Sequence, residues 1–90
     1  MEIGKVVGNL WATRKDENLS GQRFLIVKML KSKDTVKDGL FVACDSVGAG
    51  QGDLVLITKG GAARRAAGSS EVPVDATIVG IIDSLELEDE

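Results

Sequence analysis

Residues Asp45 to Ile57, DSVGAGQGDLVLI, place Gly48, Gly50 and Gly52 at alternate positions ahead of an apolar run. Glycine loops of this kind cradle phosphates when they open a helix, because the helix N-terminus offers free N–H groups and a positive dipole end. Here the glycines lead into Asp53-Leu54-Val55-Leu56-Ile57-Thr58, a short β-branched stretch that reads as a strand. No Lys-Ser or Lys-Thr follows Gly52, so the phosphate-loop pattern fails. The G-x-G-x-x-G spacing fails as well, since position 53 is Asp and would set a carboxylate beside the phosphate. A structural loop is the better reading. Glycine permits positive φ and close backbone approach at turns, at barrel rims and where copies of one loop meet on a symmetry axis.

Other chemistry is poorly supplied. The chain has no histidine, which removes the commonest general base and metal ligand. An enzyme would have to draw on Asp45, Asp53, Asp75, Asp83, Lys59 and Cys44. No two of these form a nucleophile–base or metal-ligand spacing, so no catalytic, cofactor-binding or metal-binding residue is assigned. Cys44, the single cysteine, lies in a strand-like FVACD stretch and reads as a small buried hydrophobe. One cysteine cannot build a disulfide scaffold, which suits a reducing cytosol.

Ninety residues make one small domain, burying about 60–65% of its unfolded surface. The net charge is −3 and the longest basic run is Arg64-Arg65, which argues against a nucleic-acid partner needing an electropositive stripe. The opening MEIGKVVG is too mixed for a signal peptide, and no apolar run approaches the ~20 residues of a membrane span.

These residues need elements to hold them. Val6–Ala12 reads as a strand, with Ile3–Lys5 leading in and Gly4 and Gly8 suggesting a bulge. Thr13–Gln22 is a polar turn, in which Asn9 and Thr13 nearby serve as turn hydrogen-bonders. Arg23–Leu30 is the clearest strand, followed by a charged loop, Lys31–Gly39. Leu40–Asp45 and Asp53–Lys59 are strands on either side of the glycine loop. Gly60–Ala67 fits a short helix ended by Gly68. Val72–Asp83 is the last strand, with Pro73 near its start. The tail LELEDE is acidic and solvated at its end. Five short strands and one helix predict an all-β, five-stranded barrel of the oligonucleotide/oligosaccharide-binding type. The alternative function on that fold, single-stranded nucleic-acid binding, needs aromatic platforms and a basic groove. The acidic balance and the three aromatics Trp11, Phe24 and Phe41 oppose it.

Phe24-Leu25-Ile26-Val27 and Ile78-Val79-Gly80-Ile81-Ile82 do not alternate apolar with polar residues, although a half-buried strand should. Either the helix and loops cover the outer faces, or the chain is an obligate oligomer using them as an interface. Phe24, Ile26, Ile78 and Ile81 are the candidates for core and subunit packing.

Five ordered blocks complete the reading: IGKVVGNLWATRK, LSGQRFLIV, DSVGAGQGDLVLI, GGAARRA and PVDATIVGIID. Together they resemble the bacterial microcompartment vertex family, the pentameric shell proteins of carboxysomes and of ethanolamine- and propanediol-type metabolosomes. The resemblance makes 1–84 a single vertex domain and leaves 85–90 as an acidic tail. It implies an OB-like barrel used for assembly, with five copies around a five-fold axis at the vertex of a shell of hexameric proteins in the bacterial cytoplasm. It implies no enzyme activity, no cofactor, no nucleic acid and no membrane. It places Ser46, Val47, Gly48, Ala49, Gly50, Gln51 and Gly52 at the axis and its narrow pore, where small residues relieve crowding. Asp53 caps a turn or accepts a backbone N–H. Lys15, Arg64 and Arg65 either pair with acids on a neighbouring subunit or hexamer or stay solvated. The short 31–39 loop and plain tail incline the reading toward a metabolosome.

Overall fold

The computed structural model describes residues 1–13 and 15–88; Arg14 of the ATRK block and Asp89 and Glu90 of the acidic tail lie outside the described residues. The strands are β1 (Glu2–Asn9), β2 (Phe24–Ser32), β3 (Thr35–Val36), β4 (Phe41–Asp45), β5 (Leu54–Lys59) and β6 (Ala76–Ile82). A 3-10 turn covers Glu17–Leu19, and one helix, α1, covers Gly60–Ala66. The sheet order β1-β5-β6-β4-β2 is closed by the β1–β2 pairing, so five strands form a barrel and β3 adds a short flap to β2. All contacts are antiparallel except β4 with β6, which run parallel and pair only at Cys44–Thr77 and Asp45–Ile78.

The fold class is as expected; the boundaries differ where apolar residues stand outside the ladder. β1 begins at Glu2, because Ile3–Lys5 pair with β5, and it ends at Asn9, leaving Trp11 beyond the sheet. β6 begins at Ala76, not Val72. Pro73 has no N–H to donate, and the segment before Ala76 is folded by Val72 N–H to Ser69 O at 3.2 Å and Val74 N–H to Val72 O at 2.9 Å. The charged 31–39 loop contains β3, a hairpin arm too short to show a period. It is held by the Ser32–Thr35 hydroxyl pair at 2.6 Å and by Lys37 N–H to Met29 O at 2.8 Å.

The expected bulge in β1 is present, as a register shift between Val6 and Gly8. A second shift, between Leu56 and Ile57, leaves Val79 of β6 unmatched. Ile78 is fully buried and Ile81 41% exposed, three residues apart on opposite faces, so β6 carries apolar residues on both. The core collects Val6, Leu25, Val27, Met29, Ala43, Ala49, Val55, Ile57, Ala76 and Ile78. The helix closes over β5 and β6. Ala63 is fully buried, and its carbonyl accepts the buried Thr77 hydroxyl at 2.7 Å.

Candidate assembly site

The loop between β4 and β5 is folded by the chain's own carboxylates. Asp45, whose side chain is 1% exposed, accepts through Oδ1 from the N–H groups of Val47 (3.1 Å), Gly48 (3.1 Å) and Ala49 (3.2 Å). Its Oδ2 accepts from Arg23 Nη1 at 2.5 Å. From the far end, Asp53 Oδ2 accepts the Gly50 N–H at 2.8 Å, as expected for a turn cap, while Asp53 N–H returns to Gly50 O at 3.0 Å. The loop is stitched to β1 by Gly52 N–H to Val6 O (2.9 Å) and Val6 N–H to Asp53 O (3.0 Å), and to β6 by the Ser46 hydroxyl on Ile78 O (2.7 Å).

This geometry disposes of a phosphate cradle on positive grounds. Four consecutive N–H groups, from Val47 to Gly50, already face two protein carboxylates. An incoming phosphate would meet negative charge where a helix N-terminus offers positive. Asp45 carries most of this arrangement, a role the sequence reading did not assign to it. An Asp followed by Ser-Val-Gly is an Asx-turn signature that points to it.

The three glycines divide by cause. Gly48 and Gly52 have φ of +82° and +92°, and a Cβ on either would meet nothing within 4 Å. Their requirement is backbone conformation. Gly50 is not among the positive-φ glycines, and the nearest atom to a Cβ there is Asp53 Oδ2, at 3.9 Å. Among the described residues, nothing stands in the way of a Cβ at Gly50.

The match to known proteins covers nearly all of this fold. The model for EutN_CcmL, described as ethanolamine utilisation protein EutN/carboxysome, matches residues 1–83. The chain belongs to the EutN/CcmL family. It is 40% identical over 86 residues to the bacterial microcompartment shell vertex protein GrpN of Rhodospirillum rubrum, covering 96% of this chain and 97% of the relative. It is 41% identical over 90 residues to the carboxysome shell vertex protein CcmL of Nostoc, covering 99% and 89%. Among solved structures, CcmL of Gloeobacter violaceus superposes with a TM-score of 0.90 at 38% identity, covering 98% of this chain and 91% of that one. The GrpN structure, described as a pentameric microcompartment shell protein, superposes at 0.86 with 39% identity, covering 97% and 99%.

Within this EutN/CcmL barrel the expected site residues separate. Ser46, Val47, Gly48, Gln51 and Gly52 are exposed and Gly50 is half-buried. Ala49 is not available to an axis: it is 1% exposed and belongs to the core under the loop, because the Asp45 cap turns it inward. Among the packing candidates, Ile78 is wholly core at 0% exposure, so it has no surface to give a neighbour. Phe24 and Ile26 are half-buried on the outer face of β2, and Ile81 is 41% exposed.

The candidate reactive groups are structural. Cys44 Sγ donates to Gln22 Oε1 at 2.9 Å, and Gln22 Nε2 donates to Ala67 O at 3.0 Å, tying β4 through β2's start to the end of α1. Burial, and then the neighbouring Asp45 carboxylate, push the Cys44 thiol up from its ordinary value, which keeps it a protonated donor. Lys59 bonds Glu2 at 3.2 Å and lies 5.2 Å over the Phe41 ring. Arg64 and Arg65 stand in the last turn of α1, where positive charge suits the helix dipole. Among the described residues, no group of three or more His, Cys, Asp or Glu side chains is placed to hold a metal ion.

Proposed function

We propose that five copies of this chain form a ring that caps the vertices of a polyhedral bacterial microcompartment shell. The observation that carries the reading is the match, over essentially the whole barrel, to proteins described as shell vertex proteins, one of them pentameric in its solved structure. The role is geometric. Hexameric shell proteins tile a flat sheet, and a closed polyhedron needs pentagons at its corners. No residue performs chemistry in this role.

Loop 46–52 surrounds the five-fold axis, with Ala49 beneath it as support. Gly50 favours this: its small size is unexplained within one chain and follows where five loops converge. Phe24, Ile26 and Ile81 contribute outward apolar surface to packing between copies, and Lys15, Arg64 and Arg65 face neighbouring subunits or hexamers. The short 31–39 loop inclines the reading toward a metabolosome shell, while relatives of both kinds match the chain, GrpN and PduN on one side and CcmL on the other.

Native mass spectrometry at neutral pH tests the ring: pentamers are expected, and a stable monomer or an even-numbered main species overturns it. Gly50→Trp tests the loop. It should weaken pentamers or close the axial opening and leave the barrel's far-UV spectrum unchanged; a variant pentamer of unaltered stability and opening refutes the axial placement.

A further inference from the structure

The chain leaves two unlike apolar surfaces uncovered. One projects: after β1 the backbone runs out as an arm, with Leu10 39% and Trp11 88% exposed. The other is recessed: a groove of about 210 Å³ lies between β4 and the segment before β6, lined by Leu19, Phe24, Val42, Pro73 and Val74. Val42 at its β4 side is 47% exposed. The groove exists because β4 joins β6 only at Cys44 and Asp45. Asp45 N–H points to Arg23 O, just ahead of β2, so by strand alternation the polar groups of Val42 point the other way, to the unpaired edge. An open apolar edge of this kind is normally covered.

We infer that Trp11 of one copy seats in the β4–Pro73 groove of the next copy, forming the head-to-tail contact of the ring. The inference rests on the ring proposed above and names the residues that close it. A five-membered ring cannot be built from a self-complementary patch; it needs two different faces on each subunit. A projecting indole and a recessed groove are such a pair. The groove does not take the chain's own Trp11, which stays in solvent. Phe24 lines both the groove and the hollow beneath the arm, so the two surfaces lie on either side of it. Charge agrees: Lys15 folds back onto Ala12 O at 3.2 Å, beside the indole, and the exposed Asp75 sits on the groove's rim with no ion pair among the described residues. A single aromatic anchor filling a pocket is the usual form of an interface hot spot.

Trp11 is the only tryptophan, so its fluorescence reports the contact directly. In the wild-type pentamer we expect blue-shifted emission and acrylamide quenching reduced at least about threefold relative to a monomeric Val42→Lys variant, in line with a desolvated anchor. Trp11→Ala and Val42→Lys should each weaken assembly at least about tenfold by native mass spectrometry, with unchanged far-UV circular dichroism. A wild-type pentamer whose Trp11 is quenched as in the monomer, or a Trp11→Ala chain that assembles like wild type, overturns the inference and leaves the ring standing. A wild-type monomer overturns both. A dimer with protected Trp11 supports the contact and overturns the five-fold reading.

Discussion

Replacing Asp45 with Ala should loosen the glycine loop without dismantling the barrel. The carboxylate receives three backbone N–H groups and one arginine. Val47 and Gly48 are exposed, so their N–H groups turn to water at little cost once the acceptor is gone. Ala49 is 1% exposed, and an unsatisfied buried donor there costs about 1–3 kcal/mol. The Arg23 side chain is 52% exposed, so its ion pair adds no more than about 1 kcal/mol. The sum is about 1–4 kcal/mol, and at this chain length that lowers Tm by roughly 4–30 °C. Asp45→Asn keeps one oxygen that accepts from the loop but loses the charge and turns an NH2 toward Arg23 in place of an acceptor, so it should cost about 1 kcal/mol. The assay is denaturant unfolding at one fixed protein concentration, since assembly makes stability concentration-dependent, with amide hydrogen exchange read at Val47, Gly48 and Ala49. If Asp45→Ala lies within about 0.5 kcal/mol of wild type, the carboxylate does not anchor the loop. If Asp45→Asn costs as much as Asp45→Ala, charge and not hydrogen-bond acceptance holds it.

Gly52→Ala should destabilise by about 1–2 kcal/mol because its φ is +92°, whereas Gly50→Ala, with room for a Cβ, should stay within about 0.5 kcal/mol in an unassembled barrel; equal costs at the two would refute the separation. Ile78→Ala should cost about 2–5 kcal/mol by opening the core, and Ile81→Ala under about 1 kcal/mol in the barrel, as measured by thermal unfolding of the two variants. The Cys44 thiol is raised in the fold above its ordinary 9.0, so the unfolded chain loses that proton first as pH climbs. Cys44 should therefore make stability fall above about pH 9; urea titrations at pH 8 and 10 check this, and a Cys44→Ala chain with the same slope counts against it.

Much of the barrel is legible in the residues because propensity and burial agree there. Arg23–Leu30, Leu40–Asp45 and Asp53–Lys59 fall within one or two residues of β2, β4 and β5, and GGAARRA forms α1. The errors share a cause. Trp11, Val72 and Val74 are apolar, and an apolar run reads as strand. In the fold they flank the sheet: Val74 and Pro73 border a groove, and Trp11 stands in solvent. A hydrophobic pattern records that a side chain wants cover without recording whose side chains supply it. The Ile78–Ile82 run reads as apolar on both faces, and the fold has Ile78 buried and Ile81 41% exposed; the bulge that leaves Val79 over opposite Leu56 and Ile57 is visible only in the partner register. β3 escapes notice because two residues carry no period.

Asp45 and Gly50 together explain how a sequence that looks like an anion site suits the axial joint proposed above. A loop of successive N–H groups attracts negative charge wherever it occurs. Here that demand is met from within, by one carboxylate at each end of the loop. The N–H groups from Val47 to Gly50 are thereby spent on the loop's own shape, and a glycine at 48, 50 and 52 leaves no side chain at alternate positions. Such a surface suits repeated copies of itself better than any ligand, because close approach between identical loops penalises bulk and unpaired charge alike. Converting Asp45 to an uncharged residue should then have a second effect besides instability. It frees three N–H groups, and the loop should acquire a weak affinity for inorganic phosphate that the native chain lacks. Phosphate titration of Asp45→Ala followed through the amide resonances of Val47 to Ala49 decides this. Shifts confined to those amides in the variant and absent in the native chain are expected, and equal response in both would refute the idea that the carboxylate fills the place of a ligand.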